Sequence, residues 1–253
     1  MISVASYNIQ KSVGTDFRRR PERVLAVLAE LDADVVALQE VDRRFGERAS
    51  SLSAEIIAAE TPYHAVQFGA RPASLGWHGN VILVRKGVEV LAQRPLTLPA
   101  LEPRGAVLAD LQVGALKLRV VGMHLGLVGL WRRRQALAVL DQLEALEEAL
   151  PTVMMGDLNE WSVEGGCLRH FAADHHVSEP GPSFPSIRPT FGFDRIIASV
   201  DLNVASTGVH ASAQARRASD HLPVWAHLDY AGGAASAERR QLAAAHKNSA
   251  QTG

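Results

Sequence analysis

The chain has 253 residues, of which 47% are apolar and 21% charged, as in ordinary globular proteins. Its 26 Lys and Arg against 27 Asp and Glu give a formal net charge of −1, so no global positive field attracts nucleic acid. The single cysteine, Cys167, excludes an internal disulfide and fits a reducing compartment. Because the sequence has no bilayer-spanning apolar run and no signal-like start, we expect a cytoplasmic protein.

The first half of the chain predicts two helices and a series of strands. An alternating strand ends near Asn8, and Pro21 begins a helix whose apolar residues recur at helical spacing. The run DVVALQEVD predicts a buried strand that ends at Gln39-Glu40. Residues 51–60 are predicted to form the second helix. Residues 80–124 contain consecutive strand-like runs with no helix between them, which indicates antiparallel pairing.

The second half begins with the clearest amphipathic helix, predicted for residues 132–149 and ended by Pro151. The strand TVMMGDLN follows, and residues 160–192 are predicted to be loop with one short helix near residues 168–172. Three strands then run to Tyr230. Residues 231–253, rich in Ala, Gly, Ser and charge, are predicted to be a disordered or frayed tail.

This order of elements predicts one α/β domain over residues 1–230. Helices are inserted at a few places in a strand-rich chain and do not alternate regularly with strands. A doubly wound parallel sheet is therefore less favoured than two mixed, mainly antiparallel sheets packed face to face, with helices on the outer faces.

Two polar residues stand where strands of the first part are predicted to end. Asn8 ends the first strand, where an Asn by itself could simply cap a turn. Glu40 emerges from a very apolar strand, and burial of an unpaired carboxylate is costly. It is therefore expected to pair with Arg43 or Arg44, or to bind a cation.

A second polar set follows strands in the C-terminal half. Asp157 and Asn159 stand two residues apart, so their side chains are expected on one face. Asp220 and His221 precede the last strand, although Ser-Asp-His sequences also occur in ordinary turns. Carboxylate, amide and imidazole groups delivered together from strand ends are what metal-assisted hydrolysis of a phosphate ester requires.

Three further candidates each have a plain structural alternative. Asp194 lies among apolar residues and needs a partner, either a histidine that it would orient or the adjacent Arg195. His124 ends a strand and could be a structural donor. Arg104 could bind phosphate through its guanidinium or pair with Glu102.

One more residue, Asn80, follows His78-Gly79 and is predicted to support the site, or else only to belong to the turn before a strand. Two other chemistries lack their motifs in this sequence. It contains no Cys/His cluster with zinc spacing and no GxSxG nucleophile motif.

These residues belong to eight motifs, which are, in chain order, YNIQ, LQEVD, HGNVILVR, EPRG, MHLGL, GDLNEW, FDRI and SDHLP. Together they resemble the endonuclease/exonuclease/phosphatase superfamily, and most strongly its small bacterial metal-dependent hydrolases. The resemblance covers residues 3 to about 229. It implies a four-layered α/β-sandwich and a metal-dependent phosphoesterase.

The resemblance also implies which residues would bind the cofactor and the substrate. Glu40 would be the principal ligand of Mg²⁺ or Mn²⁺, with Asn8 beside it and Asp220 completing the acidic site. Arg104 would contact the phosphate or buttress the site, and Asn80 is placed with it on the substrate side.

Catalytic roles are implied in the same way. Asp157 and Asn159 would position or activate the attacking water, and either Asp157 or His221 would take its proton. His221, oriented by Asp194, would contact the scissile phosphate. His124 would stabilise the leaving-group side or the phosphoryl oxygens of the transition state.

Three functions are compatible with this set of residues. The favoured one is hydrolysis of a phosphodiester, in a small molecule or a phospholipid headgroup. The alternative is a nuclease acting on DNA or RNA, which the net charge does not favour. A non-catalytic module that binds phosphorylated ligands is least favoured, because no catalytic group is missing.

The segment LGLVGLWRRRQ directly after His124 is apolar and aromatic and leads into three arginines. Such a combination is typical of peripheral contact with an anionic membrane. An equally good interpretation is a hydrophobic staple, in which Leu127, Leu130 and Trp131 pack the start of the helix. The sequence contains no sign of an obligate protein partner.

Overall fold

The computed structural model describes residues 1–43, 46–47, 49–68, 73–99, 101–162, 165–230 and 232. Apart from Gly232, the predicted tail lies outside these residues. The helices are α1 (Pro21–Leu31), α2 (Ala54–Glu60), α3 (Gly129–Glu144), α4 (Leu168–Ala172) and α5 (Ala215–Ala218). The strands are β1 (Ile2–Asn8), β2 (Val35–Gln39), β3 (Tyr63–Ala65), β4 (Val81–Arg85), β5 (Glu89–Leu96), β6 (Gly105–Val113), β7 (Leu116–His124), β8 (Thr152–Asp157), β9 (His175–Val177), β10 (Asp194–Ser199), β11 (Leu202–Val209) and β12 (Val224–Tyr230).

These strands form two six-stranded sheets. Their orders are β11-β12-β1-β2-β4-β3 and β5-β6-β7-β8-β10-β9. One pair in each sheet is parallel, β1 with β2 and β7 with β8, and the other neighbours are antiparallel. The parallel pairs are joined by α1 and α3, because a parallel connection needs a crossover.

The sheets and helices stack in four layers. One apolar core joins residues of both sheets to α1 and α2, as shown by Val27 and Ile57. A second core lies between the other face of the second sheet and helices α3 and α4, with Val139 and Phe171 fully buried. The predicted face-to-face mixed sheets and the implied four-layered α/β-sandwich are confirmed.

Most predicted elements form, with local differences. Helix α3 ends at Glu144, not at residue 149, because residues 145–150 form the connection back to the sheet. At the end of this connection the backbone is already bonded to the sheet, because the amide of Arg119 in β7 donates to the Pro151 carbonyl at 2.8 Å. The short strands β3 and β9 and the helix α5 were not anticipated. No helix in the described ranges is long and apolar enough to cross a membrane.

Candidate active site

The carboxyl ends of the two parallel strand pairs meet at one edge of the molecule. Asn8 lies opposite Gln39 at the ends of β1 and β2, and Glu40 follows at once. His124 lies opposite Asp157 at the ends of β7 and β8. These ends border a cavity of about 360 Å³, the usual position of a ligand site in sheets with parallel strands. The cavity is lined by Asn8, Gln10, Lys11, Glu40, Arg104, His124, Leu127, Asp157, Asn159, Asp220 and His221.

Asp157 is the centre of the polar contacts in this cavity. Its Oδ2 accepts a hydrogen bond from Asn8 Nδ2 at 3.0 Å. The same oxygen lies 3.3 Å from His124 Nε2 and 3.7 Å from His221 Nε2. Its Oδ1 accepts from the backbone N–H of Asn159 at 2.9 Å. One carboxylate therefore connects groups delivered by both sheets.

The environment of the cavity separates the pKa values of Asp157 and His221. Burial raises the pKa of Asp157 to about 6, although the His221 charge partly opposes this change. For His221, burial acts against the charged form, but the Asp194 and Asp157 carboxylates outweigh it and raise its pKa to about 10. At neutral pH the carboxylate is therefore mostly ionised and the imidazole carries its proton.

Asp194 holds His221 from behind. Its Oδ2 lies 2.9 Å from His221 Nδ1, and Ser183 Oγ donates to the same oxygen at 2.5 Å. The Phe184 ring packs on the imidazole, with 4.8 Å between centroids. The alternative partner, Arg195, instead donates from Nη1 to the Asp194 carbonyl at 3.1 Å. This arrangement leaves His221 Nε2 facing the cavity.

Two carboxylates, Glu40 and Asp220, form the acidic side of the cavity. Burial raises the pKa of Asp220, and the nearby negative charge of Glu40 raises it further. The Lys11 ammonium contacts Glu40 Oε2. Of the arginines predicted to pair with Glu40, Arg44 lies outside the described residues.

Lys11 was missed by sequence reasoning. Gln10, Lys11 and Ser12 have φ values of 46°, 57° and 59°, in the left-handed region. This unusual run turns the chain directly after Asn8 and brings the Lys11 side chain back over Glu40. No propensity rule predicts such a run from the letters QKS.

Arg104 forms the predicted pair with Glu102, and its contact with phosphate stays a prediction. Its guanidinium is buried and pairs with Glu102 Oε2 at 3.3 Å. Its Nη1 donates to the His124 ring, where it contacts both Nδ1 and Nε2. Arg104 also lines the cavity. It can therefore hold His124 and meet an anionic group in the cavity.

Asn80, predicted to support the site, lies behind the cavity and is not among the residues that line it. It is fully buried, and its amide donates to the carbonyls of Gly105 at 3.1 Å and Trp77 at 3.2 Å. The Val41 amide donates to Gly79 O at 3.0 Å. These bonds tie the 78–80 turn to the residues that follow Arg104 and Glu40, so Asn80 supports the site without lining it.

A buried ion pair fixes the loops on the second-sheet side and was also missed. Arg132 in α3 lies 3.3 Å from Glu160 Oε2 and donates to the Leu127 carbonyl. Asn159 lies beyond the strand end with φ 50°, and its Nδ2 donates to Leu125 O at 2.9 Å. The loop after His124 and the loop after Asp157 are therefore held together.

The sequence model of the Endonuclease/Exonuclease/phosphatase family matches residues 5–221, which include every residue that lines the cavity. The chain belongs to the endonuclease/exonuclease/phosphatase family. It is accordingly a hydrolase that acts on phosphoester bonds. Its membership confirms the resemblance seen in the motifs.

The chain is similar to known proteins in both sequence and fold. Uncharacterized protein YbhP of Escherichia coli is 27% identical over 245 residues, which cover 89% of this chain and 95% of YbhP. A Bacteroides thetaiotaomicron mannosyl-6-phosphatase, Bt3783, superimposes with a TM-score of 0.70 at 17% identity, covering 91% of this chain and 100% of its own. The D. rerio TDP2 complex with a single-strand DNA product gives 0.69 at 18% identity, with coverages of 90% and 98%. At these identities the two solved structures show the shared fold.

Proposed function

We propose that this family member hydrolyses a phosphodiester, in a small molecule or a phospholipid headgroup, with the aid of a divalent cation. The observation that carries the proposal is the division of one cavity into two sides. Glu40 and Asp220 bring negative charge to one side, and Arg104 and the protonated His221 bring positive charge to the other. A divalent cation suits the acidic side, and a phosphate group suits the basic side.

The donor set suits Mg²⁺ or Mn²⁺. Glu40 and Asp220 present carboxylate oxygens, with the amide oxygen of Asn8 beside them, and hard divalent cations prefer such ligands. The mutual repulsion of the two carboxylates and the Lys11 ammonium held against Glu40 both indicate a place for positive charge. When bound, the ion would neutralise charge on phosphoryl oxygens and make bound water more acidic.

Asp157 is suited to take the proton of the attacking water. Its pKa of about 6 lies close to neutral pH, where a general base works best. The hydrogen bonds from Asn8 and Asn159 hold the carboxylate in one orientation. The water oxygen bonds to phosphorus as the ester P–O bond breaks, and the leaving alkoxide takes a proton from solvent.

Fixed donors would bind the phosphoryl oxygens as charge develops on them. His221 Nε2 faces the cavity with its proton, because Asp194 holds Nδ1. Arg104 and His124 supply further donors from the second sheet. Loss of one donor of this kind commonly costs ~3 kcal/mol of transition-state stabilisation.

A nuclease is the second candidate, and one observation favours it. The Phe191 and Phe193 rings are stacked with 5.5 Å between centroids, and Phe193 lies 5.4 Å from Phe184, which packs on His221. A row of aromatic rings beside the cavity could stack the bases of a single strand. The cavity is small, however, and this favours a small phosphodiester substrate over a long DNA duplex.

The test is a panel of phosphoesters with a chelator and metal add-back. The substrates are bis-p-nitrophenyl phosphate, phospholipids, inositol phosphates, plasmid DNA and single-stranded DNA. We expect turnover of a phosphodiester that EDTA abolishes and Mg²⁺ or Mn²⁺ restores. Asp157→Asn should reduce it by three orders of magnitude or more, and Asp229→Asn, an exposed carboxylate, should not. Chelator-resistant turnover, or an unaffected Asp157→Asn variant, would refute the proposal.

A further inference from the structure

An exposed apolar crescent borders the mouth of the cavity on the second-sheet side. It comprises five large side chains with high exposed fractions. They are Leu101 at 72%, Leu127 at 62%, Val128 at 54%, Leu130 at 49% and Trp161 at 68%. Isolated exposed apolar residues are normal on protein surfaces, but a contiguous group beside a site indicates an interaction surface.

The crescent is one surface, because its three loops are bonded to one another. The Leu127 amide donates to Glu102 Oε1 at 3.1 Å, which joins it to the loop that carries Leu101. Arg132 contacts both the Leu127 carbonyl and Glu160, next to Trp161. Leu127 also lines the cavity, so the crescent begins at the site itself.

Packing of the helix start does not account for these side chains. A hydrophobic staple would bury Leu127 and Leu130 against α3, whereas both are exposed. Only Trp131 is partly covered, with the Arg134 guanidinium 5.1 Å from its ring centroid. The predicted staple is therefore wrong for the two leucines.

Basic residues flank the crescent at the start of α3. Arg132 is neutralised by Glu160, but Arg133 and Arg134 are exposed. Positive charge at a helix N-terminus is unfavourable for the helix dipole, so helix stability does not explain these arginines. Acidic residues lie at the opposite end of the helix and in the turn after it, around Glu144 and Glu148.

A smaller patch of the same character lies across the cavity. Phe17 is 90% exposed and is followed by the exposed residues Arg18, Arg19 and Arg20. Arg19 Nε donates to the Lys11 carbonyl at 3.1 Å, which ties this patch to the cavity lining. Apolar side chains and arginines therefore stand on both sides of the mouth.

We propose that the crescent docks on an anionic phospholipid bilayer, with the cavity mouth facing the headgroups. Apolar side chains would enter the interface while Arg133 and Arg134 meet lipid phosphates, and the acidic end of α3 would point away. Charge complementarity selects this partner. The docking does not depend on catalysis, and only the further step, hydrolysis of a lipid headgroup, rests on the proposed function.

Sedimentation with vesicles tests the docking. The full chain is mixed with vesicles of phosphatidylcholine, with or without phosphatidylglycerol. We expect cosedimentation with the anionic vesicles, weakened by salt, and about tenfold weaker binding for the Val128→Ser/Leu130→Ser and Arg133→Gln/Arg134→Gln variants. Leu91→Ser, an exposed leucine on β5, and Lys117→Gln are the matched controls and should bind as wild type.

Two further measurements separate docking from catalysis. Asp157→Asn should bind vesicles as wild type, so failure of the proposed chemistry leaves the docking result readable. The Val128→Ser/Leu130→Ser variant should keep its melting temperature and its turnover of a soluble phosphodiester. Absence of binding to anionic vesicles, equal binding by the crescent variants, or binding of single-stranded DNA in place of vesicles would each overturn the proposal.

Discussion

The orientation and charge of His221 depend on Asp194, which does not line the cavity and contacts it only through the imidazole. Asp194 is fully buried and bonds Nδ1 of the imidazole, while Nε2 faces Asp157. Asp194 is therefore a positioning residue: it fixes the ring and favours its charged form. Its removal should affect the protonation of His221 more than the binding of substrate.

Asp194→Asn should move the alkaline limit of activity to lower pH. The Asp194 carboxylate raises the pKa of His221, so the imidazolium persists well above its ordinary range. Without that carboxylate the proton is lost at lower pH, and kcat should also fall by roughly ten- to a hundredfold. The measurement is the pH profile of kcat/KM. Ser183→Ala, which keeps the carboxylate, should move the limit less, and an unchanged Asp194→Asn profile would contradict the assignment.

Lys11 occupies the position from which a bound cation would be repelled. Its ammonium contacts Glu40, so a cation bound to Glu40 would lie close to the Lys11 charge. Two positive charges in such proximity repel each other by about 1 kcal/mol or more, even when partly screened. Lys11→Met should therefore bind Mn²⁺ more tightly, by about tenfold, in isothermal titration calorimetry. Glu40→Gln should bind it more weakly. The control is Lys117→Met, which removes an exposed lysine at the far end of β7 and should bind Mn²⁺ as wild type does. An unchanged Mn²⁺ affinity in Lys11→Met would disprove the competition between Lys11 and the cation for Glu40.

At the scale of elements, the parallel pair β7 and β8 sets the position of Asp157 through a close backbone approach. A Cβ atom on Gly156 would lie 1.8 Å from the carbonyl oxygen of Met123. The atoms that it would meet belong to the backbone, so the strands would have to separate. Gly156 directly precedes Asp157, and the effect would reach the cavity.

Gly156→Ala should lower both stability and activity. We expect a loss of ~2 kcal/mol or more in the free energy of unfolding, measured by urea denaturation, because the strand pair must shift. Turnover should fall even at temperatures where the variant is folded. Gly114 in the β6–β7 turn has φ 57°, a Cβ atom there would meet nothing within 4 Å, and Asn tolerates this conformation. Gly114→Asn should therefore stay within about 0.5 kcal/mol of wild type; an equally stable Gly156→Ala would refute the close-approach argument.

At the scale of the whole molecule, the sequence predicts what local patterns specify. The buried strands β2 and β8 are continuous apolar runs, and the polar residues that end them, Glu40 and Asp157, were therefore found without a structure. The two sheets follow from the long series of strands between the helices. The strand runs and the polar residues that end them depend on neighbouring residues, whereas the pairing of β1 with β12 joins distant parts of the chain.

Features set by distant segments were not predictable in this way. Lys11 meets Glu40 only because of three left-handed residues, and Arg132 meets Glu160 only after α3 packs on the second sheet. The Asn80 amide donates to Trp77 O within its own turn, but its bond to Gly105 O joins a segment 25 residues away. Burial and pairing across the chain decide these roles, and periodicity carries no information about them.

The hydrogen bond between Asn8 and Asp157 spans 149 positions of the chain and joins the two sheets. Neither half of the polypeptide holds a complete set of reactive groups, so turnover begins only when the halves have assembled. Enzymatic rate then serves as a direct reporter of assembly, and a fragment that ends before β8 should be inert however well it folds.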